Sequence, residues 1–445
     1  MRIIIVGGGL IGFGLAEALS GSHEVVVIDP DPEVADRFEK LDVDFIADGG
    51  TSGETLRRAG GDRADVLVAC TGLDEVNIVA CAIASQMGTS KTICFVSRED
   101  FLRLREGQAG LTQFGISRVI WPEAQLAADI ERIVATPGAI DAEEFAGGAI
   151  RLLEYRVDAR SPLLAGSVAE LKLPRGSLLV AVRRGETFFI PRGDSRLMAG
   201  DKAVVMGTPE AMNDVQDRVA PVGPSMRQTV TIIGGGDVGL QLATRLDSRP
   251  RVELRIVERD PRRGEMLAGR LQRALVLTGD GTDLALLESE DIGRSDVLVS
   301  VIDHDEKNLL ASLLGRQLGV RRIITRVSQS ANLRLFERVG IDVAISTRGA
   351  AIASVLHEIE GGPTSLLAVL EQGEGRILEF PVPPEHVGRA LRELEPPRES
   401  IIGAILRDGG ALVPRGVDEL RAGDHLVVFS TTAGVQRVRD FFIAG

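Results

Sequence analysis

The chain reads as an α/β protein with doubly wound parallel sheets, and three observations carry that reading. A glycine-rich segment, Arg2-Ile-Ile-Ile-Val-Gly-Gly-Gly-Leu-Ile-Gly12, returns 227 residues later as Thr229-Val-Thr-Ile-Ile-Gly-Gly-Gly-Asp-Val-Gly239. Behind each copy, short β-branched runs alternate with helical-period stretches such as Leu10–Leu19 and Asn77–Met87. That alternation is the pattern of parallel strands joined by crossover helices. A second set of landmarks then closes each repeat, so the whole chain is a duplication of one composite unit.

The glycines define the first half of that unit. Gly7-x-Gly9-x-x-Gly12 follows the strand Ile3–Val6 and opens a helix, and Gly234-x-Gly236-x-x-Gly239 does the same after Val230–Ile233. In a Rossmann-like domain the first glycine makes the tight turn. The second lets backbone approach a pyrophosphate, and the third lets helix and strand pack closely. Free N–H groups at the helix start then face the anion. Gly7, Gly8, Gly9, Leu10, Ile11 and Gly12 form the first candidate turn, and Gly234, Gly235, Gly236, Asp237, Val238 and Gly239 the second. Neither ends in the Gly-Lys-Ser/Thr of a hydrolytic phosphate loop.

Each turn has an acid at the expected distance. Asp29 lies 20 residues after Gly9 and Glu258 lies 22 after Gly236, each at the end of the second strand. A carboxylate there accepts from both ribose hydroxyls and repels a 2′-phosphate, which favours NAD or an adenosine nucleotide over NADP. The strand ends add Asp48, Thr51, Thr71 and Gly72 in the first copy, and Asp280, Thr282, Ser300 and Arg326 in the second, because ligands of such sheets sit at the carboxyl ends of strands. In this reading Asp48-Gly-Gly-Thr51 answers Asp280-Gly-Thr-Asp283. Asp303-His-Asp-Glu306 reads as the acidic first turn of a helix rather than a metal cluster.

The second half of each unit is a small α+β module. Gly176–Arg183 aligns with Glu399–Arg407 around a shared serine, Phe189-Ile-Pro-Arg-Gly193 with Leu412-Val-Pro-Arg-Gly416, and Leu197-Met-Ala-Gly-Asp201 with Leu420-Arg-Ala-Gly-Asp424. The expected domains are therefore 1–140, 141–222, 227–350 and 363–445, with Pro221–Pro224 as the linker between repeats.

Composition excludes several functions. A net charge of −13 disfavours nucleic acid and anionic lipid surfaces. Cys70, Cys81 and Cys94 form no metal or disulfide spacing, which fits reduced thiols in a cytoplasm. The uncharged run Ile3–Ala16 holds five glycines and falls short of the roughly 20 residues of a membrane helix, so no direct membrane insertion is expected. Catalysis is not expected either. The single tyrosine, Tyr155, has alanine four residues on, and no His–Asp or His–Arg pair stands out as a proton relay beside a nicotinamide.

In these motifs the chain resembles the TrkA family of Trk potassium-uptake subunits, built from two RCK units. The resemblance rests on Arg2–Gly9, Thr71-x-x-Asp-Glu-x-Asn77, Thr136-Pro-Gly-Ala139, Ser400–Arg407 and Gly423–Phe429, and spans the chain. It implies NAD(H), and in some members ATP or ADP, in the two clefts. It also implies a homotetrameric ring and a separate Trk-type membrane transporter as partner, on the inner face of the membrane. Such chains often carry an arginine near the end of the fifth strand. Here that position is Phe95 in copy one and Arg326 in copy two, which implies a weaker first site. An NAD-dependent oxidoreductase and a sensor without a membrane partner are the alternatives.

Overall fold

A computed structural model describes residues 1–98, 101, 110–219, 227–329, 332–359, 365–370 and 374–443; the expected linker Pro221–Pro224 lies outside them. Two six-stranded parallel sheets and two five-stranded antiparallel sheets alternate along the chain. In the first, β1 (Arg2–Val6), β2 (Glu24–Asp29), β3 (Val43–Ala47), β4 (Val66–Ala69), β5 (Lys91–Phe95) and β6 (Arg118–Ile120) take the order 3-2-1-4-5-6. Strands β1, β2 and β4 are buried apolar runs, Ile3–Val6, Val25–Ile28 and Val66–Ala69, as expected where helices cover both faces. The order reverses between β1 and β4, and that switch point is where the glycine turn sits.

The first module adds β7 (Ala139–Phe145), β8 (Ile150–Arg156), β9 (Ser177–Arg184), β10 (Thr187–Phe189) and β11 (Lys202–Gly207) in the order 10-9-11-8-7. Strands β9 to β11 are the strands legible in the sequence; β7 and β8 were not. The second copy repeats both sheets. Strands β12 (Gln228–Ile233), β13 (Val252–Glu258), β14 (Leu275–Thr278), β15 (Val297–Ser300), β16 (Arg322–Val327) and β17 (Val343–Ser346) run 14-13-12-15-16-17. Strands β18 (Ser365–Leu370), β19 (Gly375–Pro381), β20 (Ser400–Arg407), β21 (Gly410–Leu412) and β22 (His425–Thr431) run 18-19-22-20-21, the order of the first module read from its other edge.

The two copies are bound together by exchanging a helix. Pro122–Ala135, which follows β6, buries Leu126, Ile130 and Ile133 not on its own sheet but in the core of the second, beside Val238, Leu242 and Leu246 of the helix Asp237–Asp247. In return Thr347–Ile359, which follows β17, places Ala351, Val355 and Ile359 in the core of the first sheet. Gly14 makes this approach possible: a Cβ there would lie 2.5 Å from Ile352 Cδ1. Each buried aliphatic side chain is worth about 1.5–3 kcal/mol, so each exchanged helix is held by several such contacts. The antiparallel modules also share a core, in which Ile150, Val180 and Val204 meet Ile377, Ala404 and Phe429.

The Ala-Gly-Asp motif of each module proves to be a charged clasp. Asp201 accepts from Arg184 Nε at 2.9 Å and from its second nitrogen at 2.8 Å, while Asp424 accepts from Arg407 at 2.7 and 2.6 Å. Both aspartates are 1% exposed. The partner of Arg407 in the first copy is thus Arg184, one residue beyond the Arg183 that the sequence alignment offered. A hydrogen bond from Arg407 holds the Asp424 carboxyl below its ordinary range. A depressed folded-state pKa contributes stability above the unfolded value and loses it as pH falls through the folded one. Asp424→Asn should therefore destabilise the protein by about 3 kcal/mol at neutral pH. The gap to wild type should close below about pH 4. Thermal unfolding across pH reads this, and a gap that does not change with pH would mean that packing, not charge, is lost.

Candidate functional site

Both glycine turns have the geometry that their sequence implies. Gly7 and Gly234 adopt φ of +109° and +104°, the left-handed region that favours glycine. At the third glycine a Cβ would lie 1.8 Å from the Gly7 carbonyl oxygen in copy one and 1.9 Å from that of Gly234 in copy two. Helix and strand touch there. Gly9 and Gly236, by contrast, have nothing within 4 Å of a hypothetical Cβ. They face open space above the turn.

The helix hydrogen-bond ladders begin at Phe13 N–H to Gly9 O, 2.9 Å, and at Leu240 N–H to Gly236 O, 2.8 Å. The three N–H groups before each lie outside the ladder and point from the helix start, as a helix N-terminus requires. They form the electropositive floor of the cleft.

The two acids sit against these turns. Asp29 accepts from Gly8 N–H at 2.7 Å and from Asp31 N–H at 2.9 Å, and Glu258 accepts from Gly235 N–H at 2.7 Å and Asp260 N–H at 2.8 Å. Each carboxylate oxygen keeps a lone pair for another donor. The acids therefore latch the glycine turn as well as ending the second strand.

In the second copy the elements enclose a cleft of about 260 Å³ lined by Gly234, Gly236, Glu258, Asp280, Val301 and Ile302. Six further charged or titratable lining groups were missed by the sequence reading: Arg259, Asp260, Arg263, Asp303, His304 and Lys307. Arg263 donates to the Gly235 carbonyl at 2.8 Å and to Asp237 at 2.6 Å, bracing the turn from outside. Lys307 lies one turn into the helix Asp305–Leu318, next to the asparagine of the motif, and that adjacency was its available signal.

Other expected residues play different parts. Val238 is buried in the second core, and Ile11 packs partly against the first, while Leu10 is 53% exposed at the turn. Ser300 is fully buried and donates to Asn308 Oδ1 at 2.8 Å; Thr71, two positions further along the first copy, donates to Asn77 Oδ1 at 2.7 Å. Ser300, the counterpart of Ala69, thus fixes the strand end instead of lining the cleft, while Thr71 is the counterpart of the cleft-lining Ile302. Asn77 and Asn308 each also donate to the carbonyl of the fifth strand's last residues, Phe95 and Arg326, at 3.0 Å. The acid of the same motif is structural too. Asp74 accepts from Ser97 and Arg98 N–H, and Asp305 from Ser328 N–H. Gly72 is exposed beside Thr71.

The loop after the third strand corrects the alignment by one residue. Asp48 N–H bonds to Asp29 O, as Gly279 N–H bonds to Glu258 O, so Asp48 corresponds to Gly279 and Gly49 to Asp280. Asp48 instead accepts from Thr55 Oγ1 at 2.7 Å, which holds its carboxyl below the usual range. Thr282 corresponds to the exposed Thr51 and donates to Asp280 at 2.7 Å. Arg326 is tied to Asp303 and donates to Thr347 Oγ1 at 3.0 Å, whereas Phe95 is buried in the first core. Burial also pushes the Cys70 thiol up to about 12, leaving it unreactive.

Two doubly wound domains with open glycine turns, each followed by an antiparallel module and joined by exchanged helices, define a tandem RCK-type chain. The TrkA-N domain matches residues 3–122 and 230–347, and the TrkA-C domain matches 152–220 and 377–443. The chain belongs to the TrkA family. It is 38% identical to Trk system potassium uptake protein TrkA homolog 1 of Methanosarcina mazei over 451 aligned positions, covering 99% of this chain and 100% of that one. It is 33% identical to the TrkA homolog of Archaeoglobus fulgidus, with the same coverage of both chains. Among solved structures it is similar to the GsuK channel bound to NAD, with a TM-score of 0.63 at 20% identity, covering 100% of this chain and 79% of that one. The GsuK RCK domain gives 0.61 at 19%, covering 100% and 95%. Among the described residues no helix is long and apolar enough to cross a membrane.

The turn geometry separates its glycines experimentally. Gly239→Ala should cost about 2–3 kcal/mol or more, because the new methyl meets backbone that cannot yield. Gly236→Ala should cost less than about 1 kcal/mol. Denaturant unfolding of the two variants compares them directly, and equal losses would mean that the turn relaxes around the third position.

Proposed function

We propose that this chain is a non-catalytic regulatory subunit that binds NAD(H) and adenine nucleotides in its two clefts and gates a separate membrane potassium-uptake pore. The observation that carries the nucleotide reading is the pairing, in both copies, of ladder-free N–H groups with a second-strand carboxylate. The N–H groups suit a pyrophosphate and the carboxylate suits a ribose. The GsuK structure that shares this fold is described as bound to NAD, which is in keeping with that chemistry. The potassium role is supported by full-length similarity to proteins named for Trk potassium uptake. Assembly into a homotetrameric ring on the cytoplasmic face of the membrane, beneath a Trk-type transporter, completes the proposal.

Gating requires that nucleotide bind two arrangements of the chain unequally, since a ligand shifts an equilibrium only by its differential affinity. The exchanged helices start at the strand ends that rim the clefts, so a ligand-driven change at a turn reaches the opposite domain directly.

Two measurements test the proposal. Asp29→Ala and Glu258→Ala should each weaken nucleotide binding at its own cleft by about tenfold to a hundredfold, read by calorimetric titration with NAD and ADP. Unaltered isotherms would reduce both acids to turn latches. Gly236→Val should abolish nucleotide-dependent potassium flux into vesicles that hold the pore, with ring assembly intact. Flux that responds normally in that variant, or sustained hydride transfer by the wild type, would contradict the regulatory reading.

A further inference from the structure

The two clefts share a backbone but differ in charge at four equivalent positions, and at one of them the sign is reversed. Phe95 and Arg326 correspond, since each offers its carbonyl to the motif asparagine. Leu10 and Asp237 correspond as the residues after Gly9 and Gly236, and Gly72 and Asp303 as the residues two before Asp74 and Asp305. The fourth pair lies on the exchanged helices. Phe95 is in register with Ile120 and Arg326 with Ile345, so the residues three positions later, Glu123 and Arg348, correspond. Around the second turn thus stand Asp237, Asp303, Arg326 and Glu123, of which Asp303 lines the cleft, and around the first Leu10, Gly72, Phe95 and Arg348.

The helix packing places the fourth position at the opposite domain's turn. Glu131 pairs with Arg245 at 3.2 Å, across 114 residues of sequence. Two turns earlier Glu123 interacts with Asp237 at the same offset of 114, so the exchanged helix runs parallel to Asp237–Asp247. Glu123 feels the charges of Arg326, Asp237 and Asp303, and its Oε2 is buried with no hydrogen-bond partner among the described residues. In the other copy Ile352 lies against Gly14, an offset of 338, and one turn earlier the same offset brings Arg348 to Leu10. Arg348 is half-buried and makes no ion pair among the described residues.

We infer that Arg348, carried across on the helix Thr347–Ile359, is the phosphate-facing cation of the first cleft, replacing in trans the arginine that Phe95 removes from it. The inference rests on the nucleotide reading above and specifies the ligand class. A cleft with Arg348 and no acid at the positions of Asp237 and Asp303 takes a nucleotide with a free terminal phosphate, because guanidinium matches its geometry and charge. At the equivalent point the second cleft has the acid Glu123, so its lining cations Arg259, Arg263 and Lys307 serve a dinucleotide whose phosphates are all bridged rather than a free terminus there.

Calorimetric titration of the full chain with ADP and with NAD tests this, using wild type, Arg348→Ala and Arg348→Lys, with Gly9→Val marking the first cleft. Arg348→Ala should weaken ADP at the first cleft by about tenfold or more and leave NAD at the second cleft unchanged. Arg348→Lys should retain part of the affinity. Unchanged ADP binding in Arg348→Ala overturns the inference alone. An equal fall in both ligands also overturns it, since Arg348 would then be supporting the helix pair. A wild type that binds neither nucleotide overturns the cleft reading together with it.

Discussion

The reciprocal burial of two amphipathic helices is the constraint on which the rest of the molecule depends. Leu126, Ile130 and Ile133 have no core of their own to enter, because their helix leaves its sheet and completes the other one. Val355 and Ile359 repay the exchange in the opposite direction. Neither parallel sheet is covered on both faces without the other copy. Buried parallel sheets need that cover, so the duplication is a structural requirement and not two independent domains in series. The shared core between the antiparallel modules closes the same unit at its other end.

Symmetry of backbone and asymmetry of charge follow from one event. A duplicated chain keeps its turns, switch points and asparagine pins, because each is fixed by backbone geometry that tolerates little change. The side chains at the cleft mouths face open space, as the free volume above Gly9 and Gly236 shows, and are at liberty to diverge. Arg263, Lys307 and Asp303 surround the second turn, where Val34, Val76 and Gly72 stand in the first. Electrostatic character distinguishes the surroundings of the two turns.

Local chemistry was legible in the sequence and tertiary context was not. The glycines and the acids Asp29 and Glu258 could be placed because their spacing follows from one strand–turn–helix unit. The loop after the third strand was misaligned by one residue: Asp48-Gly-Gly and Gly-Asp-Gly281 are equally good turns, and only the hydrogen bonds to Asp29 and Glu258 fix the register. Val238 and Ser300 occupy cleft positions by sequence, but one faces the core and the other bonds inward to Asn308. Strand β7, Ala-Ile-Asp-Ala-Glu-Glu-Phe145, carries too many acids to stand out as a strand. The helix exchange was invisible for a simpler reason. An apolar stripe states that a face is buried, not against which partner.

Linkage between the clefts is the most direct expression of this architecture. Two sites that bias one shared pair of helices must alter each other's affinity, and the effect is reciprocal. The decisive measurement is the affinity of the first cleft for ADP, by calorimetry, in wild type saturated with NAD and in Gly236→Val, whose second cleft is blocked. Coupling through the exchanged helices predicts a difference of about fivefold or more between the two. Superimposable isotherms would contradict it and leave the clefts as independent binding sites.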